Sequence, residues 1–122
     1  MELLHKDITE KVIGAAFEVY RELGYGFLEK VYKKAMVHEL TLRGVKCNEE
    51  PPTPAMYKGV KLLDYFGDLL VEDVVMVELK AHRTYQPDDE AQLLNELRAS
   101  ELRVGLLINF GRDGVKFKRM VF

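Results

Sequence analysis

The stretch VVMVELKAHR, residues 74–83, sets Glu78 and Lys80 two positions apart in a run otherwise suited to a buried β-strand. Strand side chains alternate between faces, so Met76, Glu78 and Lys80 share one face while Val75, Val77 and Leu79 share the other. The two charged positions then lie roughly 7 Å apart along the strand. Asp68 precedes them, across the acidic tip Glu72-Asp73. A three-residue loop over 72–74 would pair Asp68 opposite Glu78, on the same face; a two-residue loop would set it opposite Val77, on the wrong one. Two carboxylates held a few ångströms apart repel each other unless a cation neutralises them. Mg²⁺ takes a few carboxylate oxygens and keeps several waters. A lysine beside such an ion orients or deprotonates an attacking water, or stabilises charge developing on a phosphate. The chemistry implied is metal-assisted hydrolysis of a phosphodiester. A strand-end Glu-x-Lys is also a common solvent-exposed pair of little consequence. Three features weigh against that here: the strand is otherwise apolar, Asp68 stands at hairpin distance, and Gln92 lies near the start of the next helix, where it can face the same cleft.

The spacing of apolar residues predicts the elements that must hold these groups. Ile8, Val12, Ala15, Ala16, Val19, Tyr20 and Leu23 recur at threes and fours, giving a helix over 7–23 with Asp7 or Thr9 as cap and Gly24 as stop. A second helix is expected over 27–43, with Leu28, Val31, Tyr32, Ala35, Met36 and Leu42 as its stripe, Glu39 interrupting it and Gly44 ending it. The period then shortens. A strand is expected over 45–49, broken by PPTP, followed by a hairpin or meander of 55–57 and 60–65 about Lys58-Gly59. Strands over 68–71 and 74–81, a helix over 88–100 and strands over 104–110 and 115–122 complete the chain. Alternation fails at Arg119 and Met120, which suggests a bulge or a frayed end. Strand 74–81, helix 88–100 and strand 104–110 can form a βαβ unit with parallel strands. The fold class is mixed α/β: a central mixed sheet flanked by helices, as a single domain over 1–122.

The bulk properties narrow the function. With 122 residues, 48% hydrophobic and 31% charged, the chain can bury a core. No apolar run approaches the roughly 20 residues of a membrane span, and MELLHKDITEK does not read as a signal peptide. A lone cysteine, Cys47, suits a reducing cytoplasm and excludes an internal disulfide; it has no partner base and reads as inert. A net charge of −2 gives no overall footprint for nucleic acid. Arg112, Lys116, Lys118 and Arg119 form a basic cluster, either a solvated strand face or a local patch for a phosphate backbone. His5, His38 and His82 show no metal-ligand spacing and read as surface residues. By themselves, Glu29 and Tyr32 read as a first-turn glutamate and a half-buried tyrosine on one helix face.

The order Asp68 … Glu78-Leu79-Lys80 resembles the signature of the PD-(D/E)xK nucleases. GFLEKVY at 26–32 fits the pattern Gly-x-x-Glu-x-x-Tyr that names the GxxExxY family of that superfamily. The likeness continues through LRG at 42–44, YKG at 57–59, GDLLVED at 67–73, VELKA at 77–81, AQLLNELR at 91–98 and GLLINFG at 105–111. It implies a restriction-endonuclease-like core. It implies that Asp68 and Glu78, with the Leu79 carbonyl, ligate Mg²⁺ or Mn²⁺, that Lys80 is the catalytic lysine, and that Glu29 is a further acid brought to the metal from a helix. Gln92 matches the glutamine of a Gln-x-x-x-Tyr motif, but position 96 is Glu rather than Tyr. A carboxylate there, facing the cleft, would repel a phosphate backbone. The proline of the signature is also replaced, by Gly67. The implied partner is nucleic acid, DNA rather than RNA, and a homodimer would supply two metal sites for the two strands of a duplex. The competing expectation is a catalytically inactive nuclease-fold binding or scaffold module in a dimer or larger complex, favoured by the low charge, the small size and Glu96.

Overall fold

In a computed structural model of the chain, residues 3–122 are described; Met1 and Glu2, the start of the domain expected over 1–122, lie outside the described residues. The three-and-four spacing near the start of the chain becomes α1 (Lys6–Leu23), which buries Val12, Ala15, Ala16 and Val19 and stops at Gly24 with φ 70°. Its start differs from expectation. The helix begins a residue earlier, so Asp7 falls inside the first turn, where its charge suits the dipole. His5 takes the N-cap position in a left-handed conformation, and Thr9 lies within the helix, its hydroxyl donating to the Lys6 carbonyl at 3.0 Å.

The second helix, α2 (Glu29–Leu42), starts two residues later than expected, with Leu28 as an extended N-cap. Its buried row is Tyr32, Met36 and Leu40, at a strict spacing of four. Leu28, Val31 and Leu42 leave the expected stripe: Leu28 and Leu42 are 77% and 68% exposed, because one lies before the helix and the other at its free end, and Val31 is exposed on the first turn. Glu39 does not interrupt the packing but pairs with Arg43 at 2.7 Å on the exposed flank.

Seven strands follow: β1 (Cys47–Glu49), β2 (Pro52–Tyr57), β3 (Val60–Phe66), β4 (Leu69–Val71), β5 (Val75–Lys80), β6 (Val104–Gly111) and β7 (Gly114–Val121), with α3 (Asp89–Ser100) between β5 and β6. The prolines do not break the chain as expected. Pro52 and Pro54 belong to β2, which pairs only with β3, so its other side is an edge where a missing N–H costs nothing. The remaining strands form a five-stranded sheet in the order β1-β4-β5-β6-β7. β5 and β6 are parallel, joined through α3, and the other neighbours are antiparallel. The sheet is therefore mixed, with helices against it.

The sheet has two apolar faces. Val75, Val77, Leu79, Leu106, Ile108 and Phe110 meet the buried rows of α1 and α2. Met76 and Leu107 meet Leu93 and Leu97 of α3. Gly105 lets α3 come this close: a Cβ there would lie 2.9 Å from Leu93 Cδ1. β7 pairs with β6 without a break, from Val104↔Val121 to Gly111↔Gly114, so the bulge expected near Arg119 is absent. The irregular pattern has another cause. Arg119 lies on the α1 face and donates to the Leu4 carbonyl, while Met120 packs with the α3-face cluster. Among the described residues no helix is long and apolar enough to cross a membrane.

Candidate active site

β4 and β5 pair as Leu69↔Val77, Leu70↔Met76 and Val71↔Val75, which leaves residues 72–74 as a three-residue loop. Glu72 and Asp73 turn it with φ of 51° and 62°. Lys46 ties it down, its N–H donating to Glu72 Oε1 at 2.7 Å and its Nζ lying 2.8 Å from Asp73 Oδ2. Continuing that register by one position sets Asp68 opposite Glu78, on the expected face. Two bonds lock the pair. The Asp68 N–H donates to Glu78 Oε1 at 3.2 Å, and the Leu79 N–H donates to Asp68 Oδ2 at 2.7 Å. Gly67 fits beneath this clasp, since a Cβ there would lie 2.5 Å from Met76 Sδ and 3.2 Å from Glu78 Oε1. Its N–H also donates to the Pro51 carbonyl. A proline could supply neither the space nor the donor, which accounts for glycine before Asp68.

Glu78 is 3% exposed. Burial, then its neighbours Glu96 and Asp68, push its carboxyl up to about 10, against the pull of Lys80. Gln92 and Glu96 reach the same place from successive turns of α3. Gln92 Oε1 accepts from Lys80 Nζ at 3.2 Å, while Gln92 Nε2 lies 3.3 Å from Glu96 Oε1 and 3.5 Å from Glu78 Oε2. Glu96 would repel a phosphate backbone only if it faced the cleft. Instead it is 1% exposed, packed beside Glu78, and its Oε2 has no hydrogen-bond partner among the described residues. Two buried carboxyl groups thus share the floor of the site.

Glu29 opens α2 at the rim. Partial burial, then Asp68, hold its carboxyl above the usual range, while Lys80, His82 and Lys33 pull the other way. What fixes the start of α2 is Tyr32, which is fully buried rather than half-buried. Its ring stacks on Phe110 at 4.4 Å, and its hydroxyl donates to the Gly24 carbonyl at 2.6 Å. The Gly-x-x-Glu-x-x-Tyr spacing thus joins a turn, with Gly26 at φ 110°, to an acid and the anchor that aims it.

Two residues of the site were missed from sequence. Lys33 Nζ lies 3.6 Å from Asp68 Oδ1 and 2.9 Å from Glu50 Oε1; its position one turn after Glu29 was the available signal. Asn109 is buried in β6 and grips His82 twice: the His82 N–H donates to Oδ1 at 2.9 Å, and Nδ2 donates to the His82 carbonyl at 3.0 Å. An asparagine in an otherwise apolar run was its signal. The His82 ring is partly exposed and 3.0 Å from Asp89. Cys47 is half-buried, and burial, then Glu49, push its thiol up to about 11, away from reactivity.

The PD-(D/E)XK nuclease superfamily matches residues 6–120, and the chain belongs to it. The sheet and its flanking helices are the restriction-endonuclease-like fold of that superfamily. The crystal structure of SSO0001 is similar with a TM-score of 0.52 and 12% sequence identity, covering 98% of this chain and 69% of that one; the likeness is one of fold. Curated proteins offer no match. Nucleases of the superfamily generally use divalent metals. Among the described residues no three His, Cys, Asp or Glu side chains converge as a ready-made cage. The donor set still fits a hard cation, because Mg²⁺ needs only one or two carboxylates and keeps its waters. The unpartnered Glu96 Oε2, beside a Glu78 whose carboxyl burial and neighbouring carboxyls push up, marks a place where a cation would be favoured.

Proposed function

We propose that the chain is a metal-dependent nuclease that hydrolyses phosphodiester bonds of nucleic acid, DNA rather than RNA. In this reading Asp68, Glu78 and the Leu79 carbonyl hold Mg²⁺ or Mn²⁺, Glu29 adds a further acid at the rim, and Lys80 with Gln92 completes the catalytic set. The observation that carries it is the clasp of Asp68 on β5, which brings a buried carboxyl and an aimed lysine to one strand end. A divalent cation bound there would polarise the phosphate and lower the pKa of an attacking water. The chain's own residues do the rest. Glu78 gives up its proton as the cation enters, since a ligating carboxylate must be ionised. Gln92 accepts from the Lys80 ammonium and donates toward Glu96 and Glu78, so Lys80 is held toward the scissile phosphate rather than free in solvent. There it orients the water and balances charge on the phosphoryl oxygens.

We assign the chain to the GxxExxY family on Gly26, Glu29 and Tyr32, as a single cytoplasmic domain. We add homodimerisation, for which the exposed apolar side chains of β2 and β3 offer a surface. A second reading, an inactive nuclease-fold scaffold, draws on Glu96, which replaces a tyrosine and crowds the site with a second buried acid. Calorimetric titration with Mn²⁺ of the wild type and Glu78→Ala, with cleavage assays on DNA and RNA, separates the two. The nuclease reading expects the wild type to bind and cut, DNA in preference, and Glu78→Ala to do neither. A wild type that binds no Mn²⁺ and cuts nothing leaves the scaffold.

A further inference from the structure

We propose that the cleft walled by Arg83, Tyr85, Asn109, Lys116 and Lys118 is the track for the phosphate backbone of the substrate strand as it leaves the scissile phosphate. The inference rests on the nuclease reading and says where the strand lies.

The strand registers carry it. Lys80 pairs with Asn109, and Asn109 with Lys116; Glu78 pairs with Leu107, and Leu107 with Lys118. Paired residues on neighbouring strands turn their side chains to the same face. Lys116 and Lys118 therefore rise from the face that bears Glu78 and Lys80, two strands or roughly 10 Å away. That is about three nucleotides of rise along a strand. α3 covers the middle of this face through Leu93 and Leu97. Beyond its first turn the face opens into a cleft of about 580 Å³. The opening lies at the carboxyl ends of the parallel pair β5 and β6, where open α/β sheets place their ligands.

Charge selects this side of the active site over the other. On the α2 side, Lys33 is committed to Glu50 and Asp68 and Lys34 to Glu49; among the described residues Lys30 is exposed and pairs with no carboxylate, but it stands among Glu29, Glu49 and Glu50. Among the described residues, Arg83, Lys116 and Lys118 are exposed and pair with no carboxylate. Of the acids on the cleft wall, Glu90 accepts from the Tyr85 hydroxyl at 2.8 Å, and Asp113 is exposed, 4.0 Å from Arg112. The wall is also fixed in place. Asn109 grips the His82 main chain, and the Arg112 N–H donates to the Arg83 carbonyl at 2.9 Å, so the loop bearing Arg83 is pinned to the β6–β7 turn. A nucleic-acid backbone needs such a row of unpaired cations on a rigid support.

The test is fluorescence anisotropy of a labelled single-stranded DNA oligonucleotide in EDTA, over a salt series from about 50 to 200 mM. It compares the wild type with Lys116→Gln/Lys118→Gln and with Lys30→Gln/Lys34→Gln. Losing two phosphate contacts should lower the slope of log K against log salt by about 1.4 and weaken binding roughly 10- to 30-fold. The α2-side pair should leave both near the wild type. Mn²⁺ affinity by calorimetry should match the wild type in both variants, which shows that fold and metal site persist. Wild-type slope and affinity in Lys116→Gln/Lys118→Gln, or the whole loss falling on the α2-side pair, would overturn the track while leaving the nuclease reading intact. A wild type that binds no DNA would overturn both.

Discussion

In the proposed nuclease, Glu78 is where the chemistry and the cost of the site would meet. In the metal-free protein it keeps a proton that the unfolded chain releases near the ordinary carboxyl range, since its folded-state value lies at about 10. The folded state then binds more protons than the unfolded one, so stability falls as pH rises between the two values. Thermal melts in EDTA should show the midpoint dropping from mildly acidic to alkaline pH, with Glu78→Gln flattening that slope. Equal slopes in the two proteins would mean that Glu78 is ionised in the fold. The same proton must leave when a cation binds. Mn²⁺ titrations in buffers of different ionisation enthalpy should therefore report proton release in the wild type and little in Glu78→Gln. Lys80 was legible beside Glu78 at this scale because strand alternation is a short-range rule; Asp68 was legible as a candidate, its face depending on the length of the loop. Glu96 was legible only as a departure from a motif; its contact with Glu78 depends on how α3 meets the sheet.

At the scale of elements, the site depends on two helices held at fixed depth. α2 aims Glu29 because Tyr32 is stacked on Phe110 and bonded to Gly24. Tyr32→Phe keeps the stack and loses the bond, so it should cost about 1–2 kcal/mol in chemical denaturation. Tyr32→Ala also empties core volume and should cost about 3–5 kcal/mol. α3 delivers Gln92 and Glu96 because Leu93 lies directly over Gly105. Gly105→Ala overpacks that contact and should destabilise by about 1–3 kcal/mol. It should also weaken Mn²⁺ binding, because lifting α3 withdraws Gln92 from the proposed ligand Glu78; unchanged affinity would show that α3 does not set the site. The helices themselves were evident from their apolar period. Their ends were less so, because the first turn of α1 and the N-cap of α2 lack the side-chain caps that mark a boundary.

At the scale of the whole molecule, the small β2–β3 sheet stands apart from the main one and leaves Met56, Tyr57, Val60, Leu62, Leu63, Tyr65 and Phe66 exposed. Exposed apolar side chains that gather on one face mark interaction surfaces. If this surface joins two copies, sedimentation should find a dimer in the wild type and a monomer in Leu62→Lys/Phe66→Lys. A monomeric wild type would remove the dimer from the proposed function. The prolines at 52 and 54 read as a break in sequence because proline disfavours a ladder; only the tertiary arrangement, with one side of β2 unpaired, makes them tolerable there.

Local rules were enough for part of this protein. Alternation determined that Glu78 and Lys80 share a face, and apolar spacing determined a mixed sheet flanked by helices; that Asp68 joins them waited on the loop, which the structure shows to be three residues rather than two. These follow from contacts between residues near in sequence, where geometry leaves little choice. The tertiary structure alone decided that Glu96 turns inward beside Glu78, that Lys33 reaches Asp68, that Asn109 grips His82, and that Lys116 and Lys118 rise from the face that bears Glu78 and Lys80. Each of these joins residues from separate elements, and it is the packing of those elements, through Gly105, Tyr32 and the order of the strands, that fixes which side chains meet.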